Sequence, residues 1–177
     1  MNNKLLTPKL LTLTGIILAA AIIRLIPHPP NFAPVAAVAL FGGAYFSNKK
    51  LAFAIPLLVM FLTDIVLGLH STIWAVYLSF ALIVVIGRIM IRQKKVMNII
   101  FASVTASVSF FIITNFAHWL IDPVYSKNMI GLVSCYTAAI PFFHYTLLSD
   151  LFFAGIMFGF FELMKVKLPV LSEIKVK

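Results

Sequence analysis

Long apolar runs alternate with short polar segments along the whole chain. The runs approach the roughly 20 helical residues that are needed to cross a hydrocarbon core of about 30 Å. The pattern therefore predicts an all-α integral membrane protein, with six transmembrane helices in a single domain over residues 1–177. The predicted spans are 9–26, 33–47, 51–69, 73–92, 97–121 and 141–163.

The last apolar run, residues 135–163, is too long for one straight span. Because a proline inside a helix breaks or kinks it, we expect Pro141 to separate a short leading helix from the final crossing. The first run lacks the small-residue cleavage site and following soluble domain that accompany a removable signal peptide. We therefore interpret it as the first span.

Composition and charge agree with this topology, since 62% of the residues are hydrophobic and 11% are charged. Twelve of the 14 Lys and Arg residues fall in segments that six spans place on one side, and only Arg24 and Lys127 fall on the other. Basic loops stay in the cytoplasm, so both termini are expected there. The net charge of +9 is thus explained by orientation, and we expect a lipid bilayer and no nucleic acid as partner.

The segment Arg24–Pro34 interrupts the apolar pattern between the first two spans. It contains an arginine, a histidine, an asparagine and four prolines. Irregular backbone at membrane depth is tolerated only where protein or a water-filled cavity surrounds it. The segment is therefore predicted to be a lid or wall of a pocket, and the alternative is a rigid turn that only reverses the chain.

Polar side chains collect on the side opposite the basic loops, where all four histidines map. Ionisable groups inside a membrane are costly and usually mark a functional site. On the fifth span, Ser103, Ser107, Thr114 and His118 share one helical face. The predicted substrate-binding residues are Arg24, His28, Asn31, Asp64, His70, Asn115, His118, Trp119, Tyr136, His144 and Asp150.

Structural alternatives remain open for each of these groups. The hydroxyl stripe on the fifth span is also explained by hydrogen bonds between helices. One aspartate is a natural ion-pair partner for Arg24, and the aromatic residues near the outer boundary are typical of an interfacial belt.

Small residues four apart occur on the first two spans, at Gly15 and Ala19 and at Ala39 and Gly43. Such spacing lets transmembrane helices approach closely. The spacing fits either packing inside the bundle or contact with another subunit.

Metal and enzyme chemistry have little support in the sequence. The four histidines lie in different segments, and none are paired at a metal-ligand spacing. We therefore expect no metal and no cofactor. Protease motifs are absent, so an intramembrane hydrolase that uses Asp64 and Asp150 is the least favoured interpretation.

Several short motifs resemble a bacterial family of small polytopic membrane proteins whose function is not established. They are 30–32 (Pro-Asn-Phe), 39–44, 78–84, 114–116, 134–136 (Ser-Cys-Tyr) and 139–143. The resemblance covers roughly residues 20–160.

More distantly, the six-helix plan resembles the substrate-binding (S) components of energy-coupling factor transporters. That resemblance implies an outward-facing pocket for a vitamin or a metal ion, covered by the loop between the first two helices. It also implies that small residues of the first helix, here Gly15 and Ala19, contact a transmembrane coupling subunit driven by ATPases.

The sequence therefore predicts a solute-binding or transport protein of the bacterial inner membrane that binds a small vitamin-like molecule. The alternative is a structural or assembly subunit of a membrane complex that has no transport activity.

Overall fold

The computed structural model describes residues 7–171. Within that range the chain forms six α-helices, a short 3₁₀ turn and no strand. The helices are α1 (Pro8–Ile23), α2 (Val35–Tyr45), α3 (Lys49–Leu67), α4 (Ile73–Met90), α5 (Val96–Ile121) and α6 (Met129–Lys167), and the 3₁₀ turn is Pro169–Leu171. The predicted all-helical fold is confirmed.

Local sequence signals explain where several of these helices begin and end. Thr7 caps α1 by accepting a hydrogen bond from the Leu10 amide, and Pro8 occupies the first turn, where no amide donor is needed. Asn48 and Asn128 cap α3 and α6 in the same way. At the end of α3, Gly68 adopts a φ of 99°, which favours glycine.

Four helices, α3 to α6, are long and apolar enough to cross a membrane, which indicates a membrane protein. The other two are shorter, with 16 residues in α1 and 11 in α2. The second helix begins at Val35 and ends at Tyr45, inside the predicted span 33–47. Nine of its 11 residues are buried, so α2 is the central helix of the bundle.

The prediction that Pro141 divides the last apolar run was wrong. Pro141 lies inside α6, which continues for 39 residues without a break and extends well beyond the predicted span 141–163. Proline is tolerated within transmembrane helices where the surroundings satisfy the freed backbone groups, and Pro56 likewise lies inside α3. At 1.5 Å per residue α6 is about 58 Å long, so it projects beyond a hydrocarbon core of about 30 Å.

Glycines allow α2 and α4 to pack with their backbones in contact. A Cβ atom on Gly43 would overlap the carbonyl oxygen of Val84, and one on Gly87 would overlap that of Leu40. Ala39, one turn before Gly43, is also buried. These small residues therefore lie inside the bundle.

The small residues of α1 are placed differently. Gly15 and Ala19 are both exposed, and a Cβ atom on Gly15 would meet nothing within 4 Å. This face of α1 is open on the outside of the bundle.

The helices alternate in direction, so that the basic segments gather at one end. Lys9 at the start of α1, Arg92 and Lys94 after α4, and Lys165 near the end of α6 all line one cavity. Arg88 donates hydrogen bonds to the carbonyl oxygens of Phe46 and Ser47 at the same end. Lys4, Lys175 and Lys177 lie outside the described residues.

Candidate functional site

Two adjoining cavities lie at the end of the bundle opposite the basic segments; we call them the outer cavities. The larger has a volume of about 480 Å³ and the smaller about 350 Å³. Both are within the range of small-molecule pockets, about 300–1,000 Å³. Five residues line both cavities: Asn31, His70, Val76, Phe110 and Thr146. The two volumes therefore form one candidate site.

The segment Arg24–Pro34 forms part of the wall. A hydrogen bond from the Phe32 amide to the Pro29 carbonyl closes a turn, and the Phe32 ring lies 5.7 Å from that of Phe153 on α6. Within this turn Asn31 has a φ of 61°, a left-handed conformation that asparagine tolerates better than most residues. Its side chain has no hydrogen-bond partner among residues 7–171 and lines both outer cavities.

Arg24 lines the smaller cavity, but its charge is already paired. One guanidinium nitrogen lies 2.5 Å from a carboxylate oxygen of Asp64 and donates to the Thr63 hydroxyl at 2.7 Å. The Tyr77 hydroxyl donates to the second Asp64 oxygen at 2.7 Å. Asp64 lines neither cavity, so this network joins α1, α3 and α4 behind the cavity wall.

Asp150 differs from Asp64, because no salt bridge reaches it within residues 7–171. Its carboxylate accepts hydrogen bonds from the Ser107 hydroxyl at 2.6 Å and from the Ala36 amide. Ala36 is in the first turn of α2, which has no side-chain cap of its own, and a carboxylate there is favoured by the helix dipole. Asp150 therefore anchors α2 to α5 and α6, and it also lines the smaller cavity.

The outer part of α5 supplies hydrogen-bond acceptors to the larger cavity. The Thr114 hydroxyl and the Asn115 amide nitrogen each donate at 2.8 Å to a carbonyl one turn earlier in α5. Their side-chain oxygens remain available to a ligand. The deeper members of the predicted stripe, Ser103 and Ser107, are fully buried and line neither outer cavity.

The predicted histidines are divided between the cavities and the outer surface. His70 lines both cavities, His28 the smaller and His118 the larger. The His118 ring nitrogen Nε2 lies 3.3 Å from the Asp122 carboxylate. His144 is exposed beside Tyr145 and lines neither cavity. No group of three or more His, Cys, Asp or Glu side chains that could hold a metal ion occurs within residues 7–171.

Two aromatic residues that were predicted to contact a substrate make structural contacts and line neither outer cavity. Trp119 donates its indole N–H to the Ser126 carbonyl at 3.0 Å, and Lys127 donates to the Trp119 carbonyl. Tyr136 donates its hydroxyl to the Ile112 carbonyl at 2.6 Å. These contacts fix the α5–α6 loop and join α5 to α6.

The aromatic wall of the site was not among the predicted residues. It is formed by Phe80, Phe110, Phe111, Tyr125, Phe142 and Phe143. Phenylalanine is common in membrane helices, so composition alone does not identify these positions. Helical spacing offers a weak signal for Phe110, which lies one turn before Thr114 on the same face of α5. The same spacing places Thr146, a lining residue that was also not predicted, one turn before Asp150.

Comparison with known proteins identifies a family but no activity. The chain matches a family of unknown function (DUF6580) over residues 4–171. No curated protein and no solved structure matches it. The family match fits the resemblance to a family without an established function.

Proposed function

The chain belongs to this family of unknown function, and we propose from the geometry of the site that it binds a small solute in the outer cavities. We propose further that it acts as the solute-binding component of a membrane importer. The observation that carries the proposal is the continuity of the two cavities, whose shared wall includes Asn31 in a left-handed backbone conformation with no side-chain hydrogen bond to any described residue. Backbone strain of this kind clusters at ligand clamps and switch regions.

The lining favours a flat molecule that carries N–H or O–H donors. Thr114 offers an acceptor oxygen, because its single hydroxyl proton is used within α5. Asn115 offers its amide oxygen as an acceptor and, beside the N–H bonded to Phe111, one further N–H donor. Phe110 and Phe143 offer apolar aromatic surface, which suits the face of a planar ring. A vitamin-like heteroaromatic compound combines both properties.

We propose the remaining topology from charge and burial. All six helices would lie within a bacterial inner membrane, with the basic end in the cytoplasm and the outer cavities on the opposite side. The short length of α2 is compatible with this arrangement, because the helix is enclosed by its neighbours and needs no contact with lipid along its whole length.

Import against a gradient requires an energy source, and the resemblance to S components suggests a transmembrane coupling subunit with ATPases. The exposed face of α1 around Gly15 and Ala19 is where we propose that this subunit packs, since small residues permit close helix contact.

Ligand-induced thermal stabilisation tests the proposal. The purified protein is screened against vitamins, nucleobases and divalent metal ions, and one compound is expected to raise the melting temperature. Asn115→Ala should reduce that shift. Asn98→Ala is the matched control, because Asn98 lies at the other end of α5 and also donates its amide to a backbone carbonyl, at 3.0 Å.

The proposal fails if no compound in the panel shifts the melting temperature, or if both asparagine variants reduce the shift equally. A stable membrane partner recovered by crosslinking through α1, together with absence of any ligand effect, would favour the assembly-subunit alternative.

A further inference from the structure

A cavity of about 250 Å³ lies at the basic end of the bundle, far from the outer cavities; we call it the basic cavity. Its four cationic side chains come from three parts of the chain: Lys9 of α1, Arg92 and Lys94 after α4, and Lys165 of α6. We propose that it binds the phosphate of an anionic phospholipid whose acyl chain lies in the neighbouring groove between α5 and α6.

Charge is the first support for this proposal. The described side chains at the basic cavity carry four positive charges, and no acidic residue within residues 7–171 lines it. One of the four cations, Lys165, is ion-paired with Glu162, which accepts hydrogen bonds from Lys165 at 2.8 and 3.0 Å and from Tyr45 at 2.5 Å. Basic cavities between helices at the cytoplasmic end of a membrane protein suit anionic lipid headgroups.

The basic side chains are attached to a well-fixed part of the structure. Lys94 donates to the Ile91 carbonyl at 2.7 Å, and its Nζ lies 5.2 Å from the centre of the Tyr45 ring. Ile91 itself is fully buried. Arg92 follows directly and is exposed, with a planar fork of donors that matches phosphate oxygens. Lys94 is therefore already held in position before a phosphate binds, which lowers the ordering cost for that side chain.

An apolar groove continues from the basic cavity along α5 and α6. Lys94 lines both spaces, and the groove has a volume of about 330 Å³. Most of its wall is apolar and includes Ile99 and Phe158, while Ser103, Lys94 and Glu162 are its polar members. Gly155 and Gly159 leave the groove wide, because a Cβ atom on either would meet nothing within 4 Å. A phosphate site that opens into an apolar groove matches a phospholipid better than a free phosphate.

Native mass spectrometry of the full chain tests this proposal. The protein is titrated in mild detergent with phosphatidylglycerol, with phosphatidylcholine of the same acyl chains, and with inorganic pyrophosphate. We expect one phosphatidylglycerol to be retained in preference to the other two. The double variant Arg92→Gln/Lys94→Gln should weaken its binding about 25-fold, at about fivefold for each cation removed.

The matched control is Lys49→Gln/Lys50→Gln, which removes two charges at the same end of the bundle but outside the basic cavity. It should change phosphatidylglycerol binding less than about twofold. Equal weakening by the two double variants would mean that diffuse surface charge attracts the lipid, and it would overturn the proposal. Equal retention of phosphatidylcholine would also overturn it.

A variant in the groove distinguishes a phospholipid headgroup from a free phosphate anion. Gly155→Leu should fill the groove and weaken phosphatidylglycerol binding while pyrophosphate binding is unchanged. If pyrophosphate binds as tightly as phosphatidylglycerol and Gly155→Leu affects neither, the cavity is a site for free phosphate and the lipid assignment is wrong. Melting temperatures of all variants verify that each one is folded.

Discussion

Replacement of Asp64 by asparagine tests the charge network behind the outer cavities. Asp64→Asn keeps the shape of the side chain but removes the negative charge that lies 2.5 Å from the Arg24 guanidinium. The Arg24 side chain is only 15% exposed and the Asp64 side chain 3%. The variant therefore leaves a poorly hydrated cation without its counter-charge.

Removing one partner of a buried ion pair typically lowers the free energy of unfolding by about 3–5 kcal/mol. We expect about 3 kcal/mol, because Arg24 also lines the smaller cavity and can reach water there. For a chain of this size, 1 kcal/mol corresponds to about 2–4 °C in melting temperature. Thermal unfolding in detergent should therefore show a decrease of about 6–12 °C for Asp64→Asn.

Two comparisons isolate the ion pair. In Arg24→Gln/Asp64→Asn the loss should be smaller than the sum of the single losses, by up to about 3 kcal/mol. Asp122→Asn is the control, because its partner His118 is half exposed at 3.3 Å, and it should cost less than about 1 kcal/mol. A melting temperature for Asp64→Asn within 2 °C of the wild type (under about 1 kcal/mol), or additive single losses, would refute the reasoning.

Four further substitutions test packing and backbone geometry. Gly43→Ala should destabilise the bundle by about 1–3 kcal/mol, because the added Cβ atom overlaps the α4 backbone. Gly15→Ala should be neutral or slightly stabilising. Equal melting temperatures for these two variants would contradict the prediction. Asn31→Gly should preserve the melting temperature, since glycine accepts a φ of 61°, but it should weaken solute binding, and unchanged binding would remove Asn31 from the site. Ser149→Ala removes a 2.8 Å hydrogen bond to the Ala33 carbonyl and should speed amide hydrogen exchange over residues 33–37, while exchange elsewhere serves as the internal control.

The positions of most helices could be predicted from apolar run length alone. Predicted span 97–121 corresponds to α5 at Val96–Ile121, and 51–69 to α3 at Lys49–Leu67. The error at Pro141 arose because the effect of a proline depends on whether the surroundings tolerate its missing hydrogen bond. That information lies in the tertiary structure and not in the local sequence.

The candidate site was only partly predictable from the sequence. An unpaired charge is costly in an apolar interior, so a partner for Arg24 was expected, and the structure pairs it with Asp64. The contact of Asp150 with the start of α2 depends on how two distant helices pack, and no sequence spacing reveals it. Several aromatic residues of the cavity wall are likewise indistinguishable in sequence from phenylalanines that face lipid.

Native mass spectrometry of the protein as purified from membranes tests solute binding in the outer cavities most directly. One copurified small molecule per chain other than a phospholipid is predicted, released on activation, with lower occupancy in Asn115→Ala and unchanged occupancy in Asn98→Ala. Absence of any bound small molecule other than a phospholipid, together with no stabilisation by any compound of the panel, would contradict the proposed function.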